Sequence, residues 1–185
     1  AQLLLHIDNG LAGKIPDTPK PGDNHFGQAH NYLAGTNRIA LEAAADKARA
    51  SGYHTQVLSA EITGEANIVA TTLIQQALDY KGPLPACLLN GGETTVHVTG
   101  SGLGGRNQQL ALAAGIALEE HPRLTFLSGG TDGSDGPTNA AGAIADASVI
   151  INARKMHLDP NSFLQDNEAW HFFSKAGGLM VTGPT

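Results

Sequence analysis

The spacing of apolar residues along the chain predicts alternating helices and strands. The first segment, residues 1–13, carries Leu3, Leu4 and Leu5 and reads as the tail of a helix. Pro16, Pro19 and Pro21 then impose an extended loop over residues 14–23. Residues 31–34 form a candidate short strand, and Gly35-Thr36-Asn37 a turn leading into a cap. Residues 38–50 are alanine-rich and predict a helix that stops before Gly52. A strand follows over 54–58, and a second helix over 65–80 closed by Gly82 and Pro83. This alternation is the mark of a parallel sheet covered by helices, an α/β fold. Downstream, 86–89 and 94–98 read as two strands separated by Gly91-Gly92. A helix over 107–120 places Leu110, Ala114, Ala117 and Leu118 on one face. Strands are expected at 124–128 and 179–181, with weakly patterned helix between them after a loop at 129–138. The shift in character near Gly82-Pro83 divides the chain into segments 1–82 and 83–185.

Composition narrows the function. The 185 residues hold 41% hydrophobic side chains, enough for a core, and only 15% charged ones. Eleven basic against 17 acidic groups give a net charge of −6, which argues against nucleic acid as a partner. No apolar run reaches the roughly 18 residues of a membrane span. A lone cysteine, Cys87, sits in an apolar strand, reads as core, and points to a reducing, cytoplasmic setting. Of the 23 glycines, twelve lie between Gly91 and Gly142, so the excess belongs to one region. Neither Ala1 nor the closing Val181-Thr182-Gly183-Pro184-Thr185 reads as a natural terminus, which suggests a piece of a longer protein.

The glycines frame the candidate chemistry. Gly100-Ser101-Gly102-Leu103-Gly104-Gly105 fits G-x-G-x-x-G between an expected strand and helix, where backbone amides can approach a phosphate. The acidic residue that a dinucleotide site needs after the next strand is missing, because Glu119 and Glu120 end the helix instead. Arg106 opens that helix, where a cation opposes the helix dipole. It either receives an anion or pairs with an acid such as Glu93 or Asp132. Residues 129–138 follow a strand end and carry Asp132 and Asp135, three apart. The two carboxylates either hold Mg²⁺ together with phosphates, orient a hydroxyl, or close ordinary Asx turns. Glu93 stands at another strand end and could complete the group. The eight histidines lack metal spacing, and His97 reads as a packed strand residue. Ser128-Gly129 is no nucleophile elbow, and Trp170, Phe172 and Phe173 read as anchors of the C-terminal helices.

Three strings in order, Gly91-Gly92-Glu93-Thr94-Thr95-Val96, Gly104-Gly105-Arg106-Asn107-Gln108 and Gly130-Thr131-Asp132-Gly133 through Thr138, resemble the MOFRL domain, the C-terminal module of class II glycerate 2-kinases. Thr18 through Asp23 and Gly35-Thr36-Asn37-Arg38 are similar to the later part of that family's N-terminal domain, and Thr182 through Thr185 to a closing motif. The resemblance implies a fragment of a Rossmann-like domain over 1–82, followed by a MOFRL-type α/β domain over 83–185. It implies phosphorylation of the 2-hydroxyl of D-glycerate by ATP with Mg²⁺, in a cleft shared with an N-terminal part that has no counterpart here. It marks Arg106 and Asp132 as catalytic. With the residue chemistry above, Glu93, Gly104, Gly105, Asn107 and Thr131 are candidate substrate- and phosphate-binding residues, and Asp132 with Asp135 candidate Mg²⁺ ligands. A second copy of the chain is a candidate partner. The competing readings are an NAD(P)H-dependent hydroxypyruvate reductase and a non-catalytic ligand-binding or oligomerising module.

Overall fold

The computed structural model describes residues 2–27, 30 and 32–185, in two compact units that meet at residue 36/37. The first unit contains helix α1, Gln2–Leu11, and a single 3₁₀ turn at Asn24–Phe26. Between them the proline-rich stretch is extended, with an ion pair between Lys20 and Asp17 at 2.8 Å. The strand expected at 31–34 begins outside the described residues, and Tyr32, Leu33 and Ala34 have no regular structure.

The second unit opens with α2 (Asn37–Ala50), β1 (His54–Glu65), α3 (Ala66–Asp79) and β2 (Ala86–Thr95). β1 and β2 pair in parallel, so β1-α3-β2 is the crossover unit that the alternation predicts. Both strands run longer than expected. The two strands expected at 86–89 and 94–98 are one strand that passes through Gly91-Gly92 and stops at Thr95. Cross-strand pairing with Ile62 and Thr63 carries the ladder across the glycines. His97 therefore lies beyond the strand and is exposed, and Cys87 is half-buried where a core position was expected.

Helix α4 (Arg106–Ala117) is the centre of the unit. Leu110, Ala114 and Leu118 pack against Ala66, Val69, Ala70, Leu73 and Ile74 of α3. The opposite face, Ala111 and Leu112, packs on a second cluster. That cluster comprises β4 (Gly142–Asp146), α5 (Ala147–Lys155) and α7 (Ala169–Ala176), with α6 (Pro160–Gln165) beside them. A helix apolar on two faces sits between layers. Ala117, expected on the buried face, is exposed. β3 (Thr125–Gly129), β4 and β5 (Leu179–Met180) form an antiparallel sheet. β4 was not expected, since alanine-rich Gly142–Asp146 has no β-branched signature beyond Ile144. Phe172 and Phe173 are fully buried, as anchors of the C-terminal helices should be.

Candidate functional site

The first turn of α4 joins both glycine loops. Arg106 projects from it half-exposed, and its Nη2 lies 3.2 Å from Oε1 of Glu93 at the end of β2. The guanidinium also acts electrostatically on Asp132. The three charged residues singled out in the sequence thus share one exposed edge. Glu93 and Arg106 form a single-contact exposed pair, an arrangement of low intrinsic strength.

The glycine loop is not a phosphate cradle. The backbone amides of Thr99 and Gly100 donate to Asn167 Oδ1, at 2.8 and 3.0 Å. Those of Ser101 and Gly102 donate to Asp166 Oδ1 and to the Asp166 carbonyl, at 3.1 and 2.9 Å. A side chain at Gly100 or Gly102 would strike Asp166 or Glu168. The amides of residues 99–102 and the space beside Gly100 and Gly102 are taken by the chain itself, which weighs against the dinucleotide reading of this loop. Gly104 abuts Asn167 and Ala169, and Gly105 abuts Asp135, so both are small because protein packs on them.

The helix N-terminus is filled as well. Asp135 is 3% exposed, and each of its carboxylate oxygens accepts two hydrogen bonds. Oδ1 takes the Asn107 backbone N–H at 3.0 Å and its Nδ2 at 3.1 Å. Oδ2 takes the Gln108 backbone N–H at 2.9 Å and its Nε2 at 3.1 Å. The anion that a helix N-terminus attracts is internal. Such a carboxylate has no free lone pair facing solvent and does not fit the Mg²⁺ role expected of it beside Asp132. Gln108 Nε2 continues to Thr138 Oγ1 at 2.9 Å, and Asn107 Oδ1 accepts from Ser128 Oγ at 2.7 Å. Asn107 is thereby committed to the scaffold on both ends of its amide.

Asp132 differs in every respect. It is exposed, and its carboxylate accepts from Ser134, whose N–H and hydroxyl lie at 3.2 Å. The Ser134 amide, helped by the Ser134 hydroxyl and Arg106, holds the Asp132 carboxyl below the usual carboxylate range. Its loop is held from behind. Thr185 donates its N–H to the Asp132 carbonyl at 3.2 Å and its hydroxyl to the Thr131 carbonyl at 2.8 Å. Among the described residues no group of three or more His, Cys, Asp or Glu could hold a metal ion. Mg²⁺ needs only one or two carboxylates when phosphate and water oxygens complete its shell, so Asp132 fits it together with a phosphate-bearing substrate.

A cavity of about 250 Å³ opens at the carboxyl ends of β1 and β2, lined among others by Glu65, His97 and Gln109. Gln109 stands one turn from Arg106 on α4, so this cavity adjoins the charged edge. A larger groove of about 580 Å³ lies by Gln56, Leu88 and Tyr80, towards the opposite ends of the strands, away from that chemistry. Sequence reasoning missed Gln108, Ser128, Thr138, Asn167 and Thr185. The available signal was Gln108-Gln109 inside an otherwise apolar helix, since polar residues in a buried stripe must find partners.

Comparison with known proteins gives the family of the chain. Residues 86–185 match the MOFRL family. The D-glycerate 2-kinase of Thermotoga maritima is 38% identical over 92% of this chain and 41% of its own length. Human glycerate kinase is 34% identical over all of this chain and 47% of its own length. The chain therefore spans less than half the length of these relatives. The crystal structure of glycerate kinase from Thermotoga maritima superimposes with a TM-score of 0.77, covering 83% of this chain and 38% of that one. A Pyrococcus horikoshii structure gives 0.74, with 34% identity, over 97% of this chain and 42% of its own. Among the described residues no helix is long and apolar enough to cross a membrane. The match over 86–185 covers more than half of the 185 residues, and on that ground the chain belongs to the MOFRL family.

Proposed function

We propose that the protein carrying this chain is a glycerate 2-kinase, which transfers the terminal phosphoryl group of ATP to the 2-hydroxyl of D-glycerate. The observation that carries this reading is the pair Arg106 and Asp132, an exposed cation and an exposed carboxylate whose neighbours Asn107 and Asp135 are bonded to one another. Phosphoryl transfer asks the protein mainly for positioning and charge stabilisation. Arg106 has guanidinium donors beyond the one on Glu93 and grips an anion, either substrate carboxylate or phosphate. Asp132 orients the attacking hydroxyl or holds Mg²⁺, with Thr131 fixing the loop around it. When bound, Mg²⁺ neutralises charge on the phosphate oxygens. Glu93 is the resting partner of Arg106, while Gly104, Gly105 and Asn107 serve the site through the packing that holds it.

Residues 83–185 are assigned to the C-terminal domain and 1–82 to the end of the preceding one. The substrate cleft is shared with a part of the protein outside this chain. A reducing cytoplasm suits the single half-buried thiol, whose pKa burial raises. The deciding experiment incubates the full-length protein with ATP, Mg²⁺ and D-glycerate and assays 2-phosphoglycerate. Formation of 2-phosphoglycerate is expected. NADH consumption with hydroxypyruvate and no phosphoglycerate would overturn the reading.

A further inference from the structure

We propose that Asp135 is a positioning residue for the phosphoryl transfer assigned above, fixing Arg106 and Asp132 in one frame. The inference rests on that functional reading. Among the described residues α3, α5 and α6 are each capped by the side chain immediately before them, Glu65, Asp146 and Asp159, while α7 has no side-chain cap. Such a local cap is all that helix stability requires. α4 departs from the pattern. The residue before it, Gly105, has no side chain, and the capping carboxylate comes from the loop that carries Asp132, 28 residues beyond Asn107. A cap from so far along the chain stabilises the helix as a local one would, and in addition ties the helix start to the loop of Asp132.

Distance has a geometric consequence. The four bonds from Asp135 grip Asn107 and Gln108, the two residues that follow Arg106. Asp132 lies three residues before Asp135 in the same loop. One buried carboxylate thus connects the backbone of the cation to the backbone of the acid. Two further bonds close the frame: Ser128 of β3 on Asn107, and Thr138 of the loop on Gln108. Gly136, at φ +61°, lets the loop turn back directly against the Gly104 carbonyl, where no other residue fits. The strict arrangement that phosphoryl transfer needs is supplied here from beneath the reacting groups.

The test is a double-mutant cycle in the full-length protein, pairing Asp135→Asn with Arg106→Ala. The asparagine keeps one acceptor but turns an NH₂ group towards donors of Asn107 or Gln108. Asp135→Asn should lower kcat/KM for D-glycerate by about tenfold or more in protein shown by circular dichroism to be folded. In the Arg106→Ala background the same substitution should cost less than about twofold, because the placement of Arg106 relative to Asp132, which the Asp135 bonds to Asn107 and Gln108 set, no longer has a cation to place. Effects that multiply in full, or an Asp135→Asn protein with undiminished activity, overturn the proposal. Should Asp135→Asn fail to fold, Ser128→Ala removes only the outer bond to Asn107. It should lower kcat/KM about two- to threefold, and not at all once Arg106 is gone. Multiplicative effects in that cycle also overturn the proposal. A wild-type protein that makes no 2-phosphoglycerate overturns the kinase reading and this inference with it, whereas an active wild type with independent effects overturns this inference alone.

Discussion

The two glycine-rich loops have similar composition and opposite character. In the loop at 100–105, four consecutive amides from Thr99 to Gly102 are bonded to Asp166 and Asn167, and packed protein fills the space beside the glycines. In the loop at 130–138, one aspartate is buried and takes four hydrogen bonds, while the other is exposed. Glycine in the first serves close packing. In the second it also serves close packing, at Gly133 and Gly136, and with positive φ at both it turns the chain so that Asp135 goes inward and Asp132 stays outside. Glycine content is therefore a poor guide to a ligand site, and unspent hydrogen-bonding capacity is a better one.

The comparison breaks first at Asp132. Asp132→Asn should cost about a hundredfold or more in kcat, some 2.7 kcal/mol, while the melting temperature of the full-length protein barely moves. A large fall in melting temperature with catalysis retained would make this loop structural and reverse the contrast. Asn167→Ala is the matching test of the other loop. It strips a buried acceptor from the amides of Thr99 and Gly100 and should cost about 1–3 kcal/mol of stability. Turnover per folded molecule should stay near normal. If instead turnover collapses in folded protein, the 100–105 loop belongs to the site after all.

Arg106 stands where the two loops meet, so its removal measures how far they cooperate. Arg106→Ala should lower kinase activity at least tenfold, about 1.4 kcal/mol, with little change in stability, because its exposed contact with Glu93 holds nothing together. Near-normal turnover in folded protein would remove Arg106 from the site.

Local patterns made α2, α3 and α4 readable: alanine richness and the stop before Gly52 for α2, the Gly82-Pro83 closure for α3, and an apolar face for α4. The parallel pairing of β1 and β2 followed from their order with α3. What stayed hidden is non-local. Nothing near Gly105 in sequence shows that its cap arrives from Asp135, and nothing near Asp132 shows that Thr185 steadies its loop. β4 escaped because five residues rich in alanine show no period, and their strand state is imposed by pairing with β3. At the site, motif and resemblance picked out Arg106, Asp132 and Glu93, which the fold brings to one edge. Neither distinguished the aspartate facing solvent from the one facing the helix, since burial is a property of the folded loop and both read as Asx turns.

The smallest effect separates the two aspartates by their chemistry. The Ser134 backbone amide is the main cause of the depressed Asp132 pKa, with the Ser134 hydroxyl and Arg106 adding to it. A depressed pKa keeps the carboxylate charged further into acid. It also means that the stabilisation it gives is present above the unfolded-state pKa and fades as pH falls through the folded value. Ser134→Ala deletes the hydroxyl and leaves the amide, so the carboxyl should titrate at higher pH than in the wild type while remaining below the ordinary carboxylate range. A carbon-13 NMR titration of Asp132 reads this directly. The same substitution leaves every hydrogen bond of Asp135 in place, because none of its partners is Ser134. An Asp132 carboxyl that titrates in Ser134→Ala as it does in the wild type would show that the hydroxyl takes no part in its charge, and the account of the outward aspartate would fail.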